Sequence, residues 1–166
     1  MLKPDRLRAA LVDAVPEYGR DPDRLAIYID QGRIATRFHP GRYGFEYRYR
    51  LRATLLDFTG HPDVVMLAII RWLSVEQVEL LQNHGSGNEA IGFEADVLGA
   101  GAIDLDITLN LTEAVTLRPR DDGGHDIVHA EEPALALPDD LAMAGLEDGP
   151  PITALWLGGE PIFPPS

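Results

Sequence analysis

The stretch FEYRYRLRATLLDF, residues 45–58, sets Phe45, Tyr47, Tyr49 and Leu51 on alternate positions, with Glu46, Arg48, Arg50 and Arg52 between them. A period of two marks a half-buried β-strand, because successive side chains point to opposite faces of a sheet. The aromatics then belong to the core face and the arginines to the outer face. On a strand the arginines stand ~6.6 Å apart. In water, neighbours at that distance repel by about 0.6 kcal/mol, so the row is tolerable alone and is eased by nearby carboxylates.

A second alternating region supplies them. IGFEADVL (91–98) and AIDLDITLNLTEAVTL (102–117) flank Gly99-Ala100-Gly101 and read as a hairpin. Phe93, Ala95, Val97, Ile103, Leu105, Ile107, Leu109 and Leu111 fall on its apolar face. Glu94, Asp96, Asp104, Asp106, Thr108, Asn110 and Thr112 fall on the other. Arg48, Arg50 and Arg52 are therefore expected to meet Glu94, Asp96, Asp104 and Asp106, within one subunit or across to the next. These seven residues form the candidate interface. Each such pair contributes only ~0.2–1 kcal/mol, so its main effect is on register and on matching surfaces.

Upstream, Pro4 and Asp5 open a helix whose Leu7, Ala10, Leu11, Ala14 and Val15 make one buried stripe, ended by Pro16. RDPDR (20–24) is a turn, LAIYIDQGRIATRF (25–38) reads as two short strands around Gln31-Gly32, and HPGRYG (39–44) is another turn. Pro62 and Asp63 begin a second helix. It is apolar nearly all round from Val64 to Ile70 and continues through Trp72 and Leu73, which predicts burial against the sheet. Ser74-Val75-Glu76-Gln77 has capping-box spacing, so the helix breaks there and restarts through Leu81. HGSGN (84–88) is a loop. The expected fold is α+β: a mostly antiparallel twisted sheet packed on one face by two helices.

After Arg118 the texture changes, and eight of the thirteen prolines lie in the last 48 residues. HDIVHA and ITALWL read as isolated short strands, the second followed by a Gly158-Gly159 turn. The expected division is a core domain over 1–118 and a proline-rich arm over 119–166 that packs on its own core or on a neighbour, since so many breakers build little core.

The chain of 166 residues has formal net charge −13 and no cysteine, which excludes disulfides and thiolate metal sites. The charge is divided along the chain. Residues 1–72 carry twelve Lys/Arg against nine Asp/Glu, and residues 73–166 carry two against eighteen. No secretory signal is visible in Met1–Val15, and the longest apolar run, VVMLAII (64–70), is far short of the ~20 residues that span a bilayer. A soluble protein with no membrane partner is expected.

Catalytic constellations are not evident. His125 and His129 are four apart, but Gly123-Gly124 before them and the β-branched Ile127-Val128 between them favour a strand over a metal-binding helix, and no third ligand is apparent. GSG (85–87) and GAG (99–101) lack the context of a nucleophile elbow or a phosphate loop. Two alternatives stay open at this point. One is a small nucleic-acid-binding module using Arg48, Arg50 and Arg52, against which the aromatics count because they lie on the opposite face. The other is a metal protein around His125 and His129.

The order and wording of the segments LRAALVDAVPEYGRDPDRLAIYIDQGRI (7–34), FEYRYRLRATLLDFTGHPD (45–63), RWL (71–73), IGFEADVL (91–98) and DLDITLNLTE (104–113) resemble the GpR family of phage tail completion proteins, from contractile-tailed temperate phages and prophages. HDIVHAEEP (125–133) and ALWLGGEPIF (154–163) look like C-terminal features of that family, so the resemblance is expected to run nearly end to end. It implies a fold like those of phage tail terminator and completion proteins, and a structural role rather than an enzymatic one: capping the tail tube and preparing it for head joining, as a ring like the hexameric terminators of other tailed phages. The implied partners are other copies of the chain, the tail tube protein, and sheath or head–tail connector proteins. The implied location is the bacterial host cytoplasm during assembly and then the virion tail. The family carries no catalytic residues, so no catalytic residue, metal or cofactor is assigned, and no specific nucleic-acid binding is expected.

Overall fold

The computed structural model describes residues 1–36, 43–82, 90–131 and 154–163. The alternating stretch 45–58 forms the long strand β2 (Gly44–Phe58), antiparallel to β1 (Leu25–Thr36) on one side and to β4 (Ile103–Pro119) on the other. β3 (Ile91–Val97) and β5 (His125–His129) pair antiparallel with the two ends of β4. The strand order is β1-β2-β4-β3, with β5 beyond β4. Among the described residues four α-helical segments accompany the sheet: α1 (Lys3–Ala14), the short α2 (Glu17–Arg20), α3 (Pro62–Glu76) and α4 (Val78–Gln82). The chain is thus mixed α+β, built on an antiparallel sheet. Among the described residues no helix is long and apolar enough to cross a membrane.

Register follows from the period of two, because one row of large apolar side chains must face the helices on every strand. Leu25, Leu55 and Leu105 share one row, Ala53 and Ile107 the next, then Leu51 with Leu109, and Tyr49 with Leu111. All of these are buried, in one cluster with Leu7 and Leu11 of α1 and Val65, Ile69, Trp72 and Leu73 of α3. Each fully buried Leu or Ile contributes about 1.5–3 kcal/mol, so this single layer of contacts fixes the helices to one face of the sheet.

Three expectations change. Residues 25–36 are one continuous strand rather than two. Gln31-Gly32 is no turn, because a bulge at Asp30, between the pairs Ile29–Leu51 and Gln31–Arg50, absorbs the irregularity while β2 runs past unbroken. The helix does break near Glu76, but not through a capping box: Ser74 Oγ donates back to the Arg71 carbonyl, and the break falls at Gln77, whose side chain is used elsewhere. Phe93 and Val97 share the apolar face with buried Ile107 and partly buried Ile103 but are exposed themselves, because no described helix covers them. The turn expected at 39–44 falls largely outside the described residues, as does the loop at 84–88.

Past Leu55 the ladder slips before Phe58 meets Ile103, and Asp57 takes a left-handed φ of 49°. Its strain is held on both sides: the Asp57 N–H donates to Asp104 Oδ1 at 2.8 Å, and its carbonyl accepts from the Arg24 guanidinium. Gly60 follows because a Cβ there would stand 2.7 Å from the Phe58 ring. Near the C-terminus β6 (Leu155–Leu157) and β7 (Glu160–Phe163) form a separate hairpin, with Gly158 and Gly159 both at positive φ in its turn.

Candidate assembly surface

The face of the sheet turned away from the helices carries the arginines, as their alternation requires. Arg52 forms a two-point contact with Asp106 on β4, Nε lying 3.3 Å from Oδ1 and Nη2 bonding Oδ2. The hydrogen bond to Asp106, and then its charge, push the Arg52 guanidinium further up in pKa. Arg50 instead pairs with Asp30, which the bulge of β1 turns toward it, and Arg48 pairs with Glu46 two residues back on its own strand.

Of the four carboxylates expected to meet the arginines, only Asp106 does so. Asp104 caps the Asp57 N–H. Glu94 and Asp96 enter no ion pair among the described residues; they stand on β3, with β4 between them and β2, so about 10 Å of sheet separates them from the arginine row. They lie opposite Asp106 and Asp104 respectively, which puts like charges side by side. The outer face is therefore divided. β1 and β2 carry Arg33, Arg48, Arg50 and Arg52 against Asp30 and Glu46, whereas β3 and the part of β4 beside it carry four carboxylates and no cation.

A buried polar node went unread in the sequence. Gln77 is 1% exposed, Lys3 4% and Glu113 6%. Gln77 Oε1 accepts from Lys3 Nζ at 2.6 Å and from the Thr112 N–H at 3.0 Å, and its Nε2 donates to Thr112 Oγ1 at 2.9 Å. Thr112 lies on the stretch of β4 edge left open between the ends of β3 and β5, and Gln77 closes that stretch as a strand would. Glu113 accepts from the Leu2 N–H at 2.7 Å and from the Tyr49 hydroxyl at 2.5 Å, and His129 Nδ1 lies 3.6 Å away. Burial, followed by the bond to Glu113 and its charge, raises the Tyr49 phenol well above its ordinary pKa. A signal for Glu113 was present: it continues the parity of Leu105, Ile107, Leu109 and Leu111, so alternation alone sends it inward.

Among the described residues no three His, Cys, Asp or Glu side chains converge as a metal ion would need. A cleft of about 480 Å³ beside α1 and α3 is lined by Ala10, Ala14, Leu67, Trp72, Val75 and Leu155 among others. Another of about 410 Å³ lies over Phe45, Tyr47, Val115, Leu117 and Ile127. Both present mainly apolar walls. The nucleic-acid reading of the arginine face weakens too, since three of its four cations already hold carboxylates and Phe45, Tyr47 and Tyr49 point the other way, leaving Tyr28 as the aromatic beside Arg52.

The model of the P2 phage tail completion protein R (GpR) family matches residues 1–133. The chain belongs to this family. Tail completion protein R of Escherichia phage P2 is 36% identical to it over 133 residues, covering 80% of this chain and 84% of the relative. The GpR match takes in the whole main sheet, α1 to α4 and the polar node. It stops short of β6 and β7, so ALWLGGEPIF lies outside the matched region and the resemblance does not run end to end. No solved structure matches the chain. GpR membership gives the chain a structural role in phage tail assembly, in the virion tail and in contact with other tail components, and not an enzymatic one.

Proposed function

We propose that this chain completes the tail by capping the end of the tail tube and preparing it to join the head, and that it does so as a ring of identical subunits, six by the resemblance to other terminators. Family membership over residues 1–133 carries the reading. The divided outer face supports it, since a surface basic on one side and acidic on the other suits repeated contact between copies. The seven candidate residues Arg48, Arg50, Arg52, Glu94, Asp96, Asp104 and Asp106 belong to that surface, with Arg52 and Asp106 linking its two halves within one subunit.

The partners are further copies of the chain, the tube protein beneath, and sheath or connector proteins around and above; assembly takes place in the host cytoplasm. Residues 119–166 act as an arm on this core. Its first strand, β5, is taken up by the main sheet, and Leu155 and Ile162 line clefts with residues of α1 and α3.

The test is a lysogen whose copy of this gene is deleted, induced with and without the gene supplied in trans. Electron microscopy of the deletion lysate should show filled heads and separate tails with open or overgrown ends, and complementation should restore joined particles. Infectious particles at the normal yield without the gene would refute the role.

A further inference from the structure

The two edges of the sheet share no residue of the polar node, and both are open. Beyond β3, and beyond β1 on the other side, no strand pairs among the described residues. Open edges of this length are usually blunted by charged side chains, Pro, bulges or a covering element. Among the described residues β3 has no Pro, bulge or covering element: its sequence IGFEADV leaves Phe93 63% and Val97 84% exposed on the helix side, and its charges, Glu94 and Asp96, exposed on the other. On β1 the bulge at Asp30 leaves a regular segment, Gln31–Thr36, with Ile34 63% exposed on the helix side and Arg33 exposed on the outer side, opposite Arg48.

We infer that these edges are the two halves of one head-to-tail contact between copies of this chain, β3 of one copy pairing antiparallel with the Gln31–Thr36 segment of the next. The inference deepens the ring proposed above and rests on it for the existence of self-association. Three observations select this pairing. All neighbours in β1-β2-β4-β3 are antiparallel, so the two edge strands run in opposite directions. Copies related by rotation about a ring axis keep their strand directions, and β3 therefore meets the next β1 antiparallel, with every helix on the same side of the joined sheet.

Charge then separates this seam from its two-fold alternatives. Joining β3 to β3 would bring Glu94 and Asp96 against their own copies, beside Asp104 and Asp106. Joining β1 to β1 would set Arg33 against Arg33. Only the mixed seam places acid beside base on the outer face and Phe93 beside Ile34 on the inner one.

The stagger is also consistent with closure. Glu94 lies in the row of Thr54 and Arg33 in the row of Arg48, six residues apart on β2, or ~20 Å along the strand. One copy adds four strands, ~19 Å of width. A seam joining those rows without any rise from copy to copy needs strands inclined at about 45°, the upper end of what closed sheets adopt.

The absence of cysteine makes the test direct. Arg33→Cys and Glu94→Cys are placed singly and together in the full chain. Within one copy the two positions are separated by three strand spacings and that stagger, far outside the ~7 Å Cα reach of a disulfide, so any bond between them joins two copies. Both sites are exposed, and unchanged circular dichroism of the reduced variants controls for folding.

Under mild oxidation, in concentrated protein and in induced lysates assembling tails, the double variant should form a ladder of cross-linked multimers. Mixed single variants should give at least tenfold more dimer than either alone. Dimers from one single variant alone at equal yield, or no ladder in either setting, would overturn the edge pairing. Tails completed by a double variant that never ladders would reject the seam and leave the tail role standing. A ladder from protein whose reduced form fails to complete tails would keep the seam and reject the role.

Discussion

Gln77→Met should cost about 2–4 kcal/mol of stability although it barely changes side-chain volume. Gln77 stands where α3 breaks, 1% exposed, and its amide does the work of a missing strand on the β4 edge. Losing it orphans the Thr112 N–H, which costs about 1–3 kcal/mol when no water replaces the partner. Thr112 Oγ1 and Lys3 Nζ each lose one further bond, at about 0.5–1.5 kcal/mol apiece before water recovers part. Against a total stability of roughly 5–15 kcal/mol the loss is large. With a urea slope of ~2 kcal/mol per M, the unfolding midpoint should fall by about 1–2 M with the slope unchanged. Gln77→Ala adds a cavity and should fall further still. If Gln77→Met lies within about 0.5 kcal/mol of wild type, the edge of β4 is satisfied without this side chain and the reasoning fails.

Two smaller predictions concern ionisation. Burial raises the phenols of both Tyr18 and Tyr49, so above the unfolded value of about 10 the unfolded chain releases protons that the folded chain retains, and stability should fall by ~1.4 kcal/mol per pH unit per tyrosine; Tyr49→Phe should halve that slope in urea titrations from pH 9 to pH 12, and an unchanged slope would refute its share. Arg52→Ala should lower stability only slightly, because the pair with Asp106 is partly exposed; the loss should shrink in 0.5 M salt, where the repulsion left between Asp106 and Glu94 is screened, and a large loss independent of salt would point to packing instead.

Alternation by itself determined the faces. The period of two in 45–58 and 103–117 dictates which side chains meet the helices, because an out-of-phase register would bury Arg48, Arg50 and Arg52 and expose Leu51, Ala53 and Leu55. It likewise sent the aromatics inward and marked both regions as half-buried strands. The same parity carried Glu113 inward, though a lone acid in an apolar series is read as an interruption until its partners are known.

Tertiary structure decided the pairings. Arg50 meets Asp30 rather than Asp104 because its row on β4 holds Asn110 and a bulge one residue long turns Asp30 toward it, and neither register nor bulge leaves a mark on local periodicity. Lys3, Gln77 and Glu113 come from three distant segments, joined only when α1 and α3 settle on the sheet. The exposure of Phe93 and Val97 has the same origin. Their apolar parity matches that of Ile103 and Ile107, and only the span of the described helical layer, which reaches Ile91 but not Phe93 or Val97, leaves them open at the edge.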